Sequence, residues 1–257
     1  MADPIVLELE ILIRATPATV YRFLSDPARF RAWMGEGAEL GDAVGAPIRV
    51  AYPNGESAEG HIVARIPDRR LVFSDGYAGN PELAPGSTTV TIDLIGEGSA
   101  TRVVLRHDGL PSDSARTGHE LGWTHYLSRL RGVATAEEML PIARLAVAAW
   151  IAAWGETDPV RRAELIADCW EDGSLFADHL GIAEGPAGLG GYIAGAQQFL
   201  PGSRLELRGP VEVVLDRVRF QWAGILADGT VIGAGVNFGE LSPGGRYARM
   251  TGWWNRP

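Results

Sequence analysis

Residues 5–27 read IVLELEILIRATPATVYRFLSDP, and the period of the apolar residues changes partway along. Ile5, Leu7, Leu9, Ile11 and Ile13 fall on alternate positions, which puts them on one face of a strand. At Thr16-Pro17 a hydroxyl N-cap followed by proline at the first helical position opens a helix. Val20, Phe23 and Leu24 then recur at helical spacing until Asp26-Pro27 ends it, and a second short helix carries Phe30, Trp33 and Met34. Further along, strands are predicted over 48–52, 58–66, 70–77, 87–95 and 101–107. Turn signals at Pro53-Asn54-Gly55, Pro67-Asp68 and Gly96-Glu97-Gly98 separate them. A helix over 115–131, with Trp123, Leu127 and Leu130 at i, i+4 and i+7, closes the segment. Strand, two helices, an antiparallel run and a long helix make an α+β pattern in which a curved sheet wraps the last helix.

After a short connector over 133–141 the order restarts. Helices are predicted over 142–154 and 160–170, a strand over 175–178 and a helix over 189–199. Four strands follow, over 204–215, 217–226, 230–241 and 246–255. Helices followed by a meander read as a second α+β domain. The expected division is 1–134 and 141–257, in keeping with roughly 100–200 residues per domain. The two halves differ in aromatics, since six of the eight tryptophans lie in the second.

All 23 basic residues of the 257 are arginine. Without lysine there is no Schiff base, no pyridoxal-phosphate anchor and no P-loop amine. A net charge of −9 and a pI near 5.1 argue against a nucleic-acid partner. A single cysteine, Cys169, leaves no internal disulfide and no cysteine metal cluster. The N-terminus lacks the features of a secretory signal, and the longest apolar stretch, 145–154, is only a helix length. The expectation is a soluble cytoplasmic protein with no membrane partner.

Two resemblances organise these observations. Residues 5–132 resemble the activator-of-Hsp90-ATPase-like group of the START-like (SRPBCC, helix-grip) superfamily. The motifs are Pro17-x-x-Val20-Tyr21-x-x-Leu24-x-Asp26-Pro27, Trp33-Met34-Gly35, Val44-Gly45, Gly60, Leu71-Val72-Phe73, residues 101–105 with His107, and His119-Glu120-x-Gly122-Trp123. The resemblance implies a cavity between sheet and C-terminal helix that holds an apolar ligand. Residues 141–257 resemble the SnoaL-like, nuclear transport factor 2-like cone. That likeness is carried by Trp150 and Trp154, Asp158-x-x-Arg161, Phe176-Ala177-Asp178, Gly185, Trp222, Gly229 and Gly244-Gly245-Arg246. The expected architecture is therefore a helix-grip START-like domain followed by an α+β cone.

The cone resemblance also implies chemistry. Asp178 falls on the position of a base that moves a proton beside a carbonyl, and Asn237 falls where a second acid would steady the enolate. Trp150 lies near a tyrosine position, where only an indole N–H is on offer. Asp178 at a strand end equally reads as the cap of a turn. His179 is an alternative base, or a plain loop histidine. His119-Glu120-Leu121-Gly122-Trp123 fails as a zinc motif because Trp123 stands where the second imidazole belongs, so no metal is expected. The glycine-rich run from Gly185 to Gly191 is not GxGxxG and reads as a loop entering a helix; no GxSxG occurs, and no cofactor is expected.

Trp150, Trp154, Trp170, Tyr192, Phe199, Trp222, Phe238 and Trp253 are candidates to line a pocket in the second domain. Trp33, Phe73, His119 and Trp123 are their counterparts in the first, and core packing is the competing reading for all of them. The leading expectation is binding of a small apolar or aromatic molecule in one or both cavities. The alternatives are cofactor-free proton transfer on Asp178, as in a polyketide cyclase or isomerase, and a chaperone-linked interaction protein. A homodimer through the open face of the cone's sheet is expected. The absence of lysine, with no arginine on a recognised pocket position, favours a neutral ligand.

Overall fold

The computed structural model describes residues 5–52 and 54–255, so Met1 to Pro4 and Pro53 of the first turn signal lie outside the described residues. The chain divides into two units, Met1–Glu138 and Met139–Pro257.

In the first unit β1 (Ile5–Ile13) leads into α1 (Pro17–Ser25) and α2 (Pro27–Met34). The helix starts follow from local chemistry. The Thr16 hydroxyl accepts from Thr19 N–H at 3.3 Å, and the Asp26 carboxylate accepts from Arg29 N–H at 2.9 Å, each followed by proline. Six strands follow: β2 (Ala38–Leu40), β3 (Pro47–Ala51), β4 (Ser57–Ile66), β5 (Arg70–Asp75), β6 (Thr88–Glu97) and β7 (Ala100–Leu110). They form an antiparallel sheet in the order β1-β7-β6-β5-β4-β3-β2. Its buried face packs on Trp123, Leu127 and Leu130 of α3 (Asp113–Gly155).

The expected connector over 133–141 is helical, because α3 runs through it. An interior proline removes one hydrogen bond and costs about 3 kcal/mol. The helix nevertheless passes Pro141, since Met139 before it and Ala143, Ala146, Val147 and Trp150 after it are all buried. By length and composition α3 is apolar enough to cross a membrane. Trp123, Leu127, Leu130, Ala143, Val147 and Trp150 of this helix belong to the two hydrophobic cores, while Leu121, Ile142 and Leu145 are exposed.

The second unit continues with α4 (Pro159–Cys169), capped by Asp158, then β8 (Trp170–Asp178), β9 (Gly181–Glu184) and α5 (Gly185–Phe199). Strands β10 (Arg204–Val214), β11 (Arg217–Ile225), β12 (Val231–Leu241) and β13 (Tyr247–Asn255) complete it. The sheet order is β10-β11-β12-β13-β8-β9, with β13 and β8 parallel and the other pairs antiparallel. The glycine-rich run expected as a loop forms the first turns of α5. Pro186 suits a helix start, and Leu189 and Ile193 bury their side chains against the sheet side.

Candidate functional site

The inner face of the second sheet is unusually short of side chain. Gly233, Gly235 and Asn237 alternate along β12, with Trp222 of β11 and Gly252 of β13 beside them. Gly235 has to be glycine, because a Cβ there would stand 2.5 Å from the Trp222 ring. Trp150 and Trp154 on α3 and Tyr192 on α5 complete a cavity of about 550 Å³. Phe176, Leu205, Trp222 and Trp254 add to its apolar wall, and Asp178, Asn237, Gln197, Ser203 and Arg204 are the polar residues on it.

Asp178 ends β8. Its Oδ1 accepts from Leu180 N–H at 2.8 Å, Gly181 N–H at 3.1 Å and the Tyr192 hydroxyl at 2.6 Å. The turn-capping role and a place on the cavity wall thus coexist, and among the described residues no donor bonds Oδ2. Burial, and then the bond to Asp178, push the Tyr192 hydroxyl well above its ordinary pKa, so it stays protonated as a donor.

Asn237 is almost wholly buried and accepts from the Trp222 indole N–H at 2.9 Å. An indole can only donate, which fixes the amide's orientation and leaves Nδ2 against Met250 Sδ at 3.0 Å. Much of the amide is therefore committed to structure. A Cβ on Gly252 would stand 3.0 Å from Asn237 Oδ1 and 3.7 Å from Asp178 Cβ, so the two polar residues flank one glycine. The Trp150 and Trp154 rings lie 5.5 Å apart, and each buried Nε1–H lacks an acceptor among the described residues.

Several expected residues stand elsewhere. His179 is exposed, with its ring on Trp254 at 5.2 Å, because the turn after β8 carries it off the wall. Trp170 is buried in the core against Tyr247. Trp253 is 53% exposed on the outer sheet face with Phe238, since strand alternation turns it away from Gly252. Phe199 does line the cavity. In the first unit Trp33 lies off the wall, fully buried and donating Nε1–H to the Phe23 carbonyl at 2.9 Å. Cys169 is buried at the end of α4, its thiol pushed up to about 12 by burial. Arg204, whose guanidinium pairs with Glu206 at 2.9 Å, is the arginine that sequence reasoning did not place on a pocket.

The first unit's counterpart is a cavity of about 60 Å³ between α3 and the sheet. Phe73, His119 and Trp123 line it as expected, together with Tyr52, Tyr77, Tyr126, Arg49 and Asp75. Asp75, His107 and His119 bring their polar atoms within 4.8 Å of one another at its inner end. The pairing of β7 with β6 sets His107 beside Thr88, and one turn of α3 sets His119 above Trp123. Neither closeness is visible in the spacing along the chain. Burial raises Asp75 to about 7 and lowers His107 to about 3.

These are two α+β units, each with a cup between a sheet and the helices that cover it, one nearly filled and one open. Residues 14–135 match the family described as Activator of Hsp90 ATPase homolog 1-like protein. A solved AHSA1-like protein from Rhizobium etli is 38% identical, over 51% of this chain and 82% of its own, with a TM-score of 0.40. The match to that family lies within the first unit. The resemblance of the second half to the SnoaL-like family has a counterpart among solved structures. It is a putative SnoaL-like isomerase from Agrobacterium tumefaciens strain C58, 29% identical over 45% of this chain and 98% of its own, with a TM-score of 0.43. An Aha1 dimer from Colwellia psychrerythraea is 19% identical over 49% and 93% of the two chains, with a TM-score of 0.44. No curated protein matches the chain.

Proposed function

We propose that the protein binds a small, neutral, mostly apolar molecule in the cavity of its second unit. The observation that carries this reading is the cavity itself: about 550 Å³, walled by Trp150, Trp154, Phe176, Tyr192, Trp222 and Trp254. That volume lies in the range of roughly 300–1,000 Å³ common for small-molecule sites. The cation on the wall, Arg204, is matched by Glu206, which favours a neutral ligand over an anion. The unpaired indole N–H groups of Trp150 and Trp154 suit a ligand with a carbonyl or hydroxyl oxygen.

A second reading, cofactor-free proton transfer, is favoured by one observation: Asp178 is held on this wall by three donors to Oδ1, with no donor on Oδ2 among the described residues. Oδ2 would take a proton from carbon beside a carbonyl, the electron pair moving onto the carbonyl oxygen. The protonated acid would then return the proton to another carbon, giving an isomer. Native mass spectrometry of freshly purified full-length protein tests the binding reading, and it also reads the expected homodimer. A stoichiometric adduct lost on denaturation is expected. A chain with no adduct, and no uptake of the neutral probe N-phenyl-1-naphthylamine, overturns it. Hydrogen–deuterium exchange into the identified ligand, abolished in Asp178→Asn, tests the catalytic reading.

A further inference from the structure

The inner end of the first unit's small cavity has a hydrogen-bonding polarity that can be read group by group. Trp123 Nε1–H donates to His107 Nδ1 at 3.1 Å. A neutral imidazole accepting on Nδ1 carries its hydrogen on Nε2, and that N–H reaches Thr88 Oγ1 at 2.8 Å. Thr88 in turn donates to the Asp75 carbonyl at 2.9 Å. His107 is thus saturated on both nitrogens and stays neutral, as its burial requires.

His119 is the reverse case. Its Nδ1–H donates to the Ala115 carbonyl at 2.8 Å, so Nε2 is a bare acceptor. That nitrogen is buried and has no partner among the described residues. Beside it lies Asp75, 8% exposed, whose carboxyl accepts from Gly76 N–H. The nearest cation on the wall, Arg49, pairs with Glu59 at 3.3 Å. Above about pH 7, where Asp75 is ionised, the carboxylate and the bare imidazole nitrogen both seek a donor; the indole and imidazole N–H groups nearby are already used, and the Tyr52 and Tyr77 hydroxyls bond each other. The rest of the enclosure is aromatic: the rings of Tyr77 and His107 stand 5.8 and 4.7 Å from that of His119, and Tyr52 stacks on Tyr77.

The geometry points to a binding site for a small primary ammonium group, held by Asp75 and His119 Nε2 under the faces of Tyr52 and Tyr77. An ammonium offers several donors and a positive charge. It satisfies the bare nitrogen, supplies the counter-charge that the buried carboxylate lacks, and is attracted to the aromatic faces. An anion is repelled by Asp75. A metal ion bridging the same three residues is opposed by Trp123, because a metal on His107 Nε2 would require the hydrogen to sit on Nδ1, where the indole already donates. About 60 Å³ admits a methylammonium-sized head and little more.

The test is an NMR titration of the full chain labelled with ¹⁵N-histidine. The probes are methylammonium chloride, sodium chloride at equal ionic strength, ethanol and zinc chloride. Methylammonium is expected to move the His119 Nε2 resonance saturably, leaving the exposed His61, His125 and His179 in place. Asp75→Asn is expected to weaken that response at least tenfold. The wild-type titration decides the matter even if the variant does not fold. A response to methylammonium no larger than to sodium chloride overturns the proposal. So does an equal response to ethanol, which would make this a site for a neutral hydroxyl. A stoichiometric zinc shift of both His107 and His119 overturns it in favour of a metal centre.

Discussion

The two cups of this protein are built alike and filled differently. In each, the residues lining the space between the sheet and the helices that cover it decide how much of that space remains. The first unit puts Phe73 of β5 and Trp123, Tyr126 and Leu127 of α3 there, leaving about 60 Å³. The second puts Gly224, Gly233 and Gly252 on its sheet and Gly191 and Gly195 on α5, leaving about 550 Å³. Its large aromatics are not fewer, but the glycines let them stand around a space instead of in it. An interior void forfeits dispersion contacts, so a wall that keeps one open is a costly choice in a fold that is otherwise well packed.

The largest expected effect comes from opening the filled cup. Trp123→Ala removes a ring that packs on Phe73 and the indole that fixes His107. Loss of a buried tryptophan costs about 3–5 kcal/mol, measurable by urea unfolding. A cost under about 1 kcal/mol would mean that the first cup is not held by its filling.

The next effect separates the two buried titrating groups. Asp75 rises from 3.8 to about 7, so the unfolded chain is deprotonated and the folded one protonated between those values, and its contribution is lost as pH rises. His107 falls from 6.5 to about 3, and its contribution is lost as pH falls through the same window. Between about pH 4 and 6.5 the two slopes cancel, so wild-type stability is expected to be flat. Asp75→Asn leaves His107 alone, and stability then falls by about 1.4 kcal/mol per pH unit on acidification. Exchange of the β7 amides reads this in the full chain. A variant as flat as the wild type would show that the two groups do not titrate as a buried pair.

How much of this was legible in the sequence depends on the distance over which each feature is set. The strand of residues 5–13 and the cap at Thr16 are local, and the sequence carries them in full; Asp26 reads there as the end of α1, and its carboxylate also caps α2. β2 and β9 are three and four residues long, too short for a period to show. The run of α3 through Pro141 hides behind a residue that ends helices locally and is overruled by packing on both sides. Asp178 and its turn are legible, but the Tyr192 bond spans 14 residues and depends on where α5 lies. The Trp222–Asn237 bond depends on the register of β11 against β12, and the Asp75–His107–His119 cluster on that of β6 and β7 plus a helix face. Nothing in the spacing announces either.

Filling the open cup is the converse of opening the closed one. Gly195 lines the second cavity, and a Cβ there meets no heavy atom within 4 Å. Gly195→Phe is expected to lower ligand affinity at least fiftyfold, measured by calorimetry with the identified ligand. It should not destabilise the fold, because replacing a helical glycine gains about 0.5–1 kcal/mol of backbone entropy. Unchanged affinity would place the ligand outside this cavity.

The smallest effect concerns the boundary of the open cup. His179 adjoins Asp178 in sequence, yet it is exposed, and among the described residues its ring contact with the site is to Trp254, a wall residue, at 5.2 Å. An exposed ring contact of that kind stabilises by a few tenths of a kcal/mol, within the ±0.5 kcal/mol usual for surface substitutions. His179→Ala is therefore expected to leave ligand affinity and any Asp178-dependent exchange within twofold across pH 6–8. A tenfold loss would show that the imidazole reaches the ligand. The cup would then extend past Trp254, and the base would have to be sought on both residues of the turn.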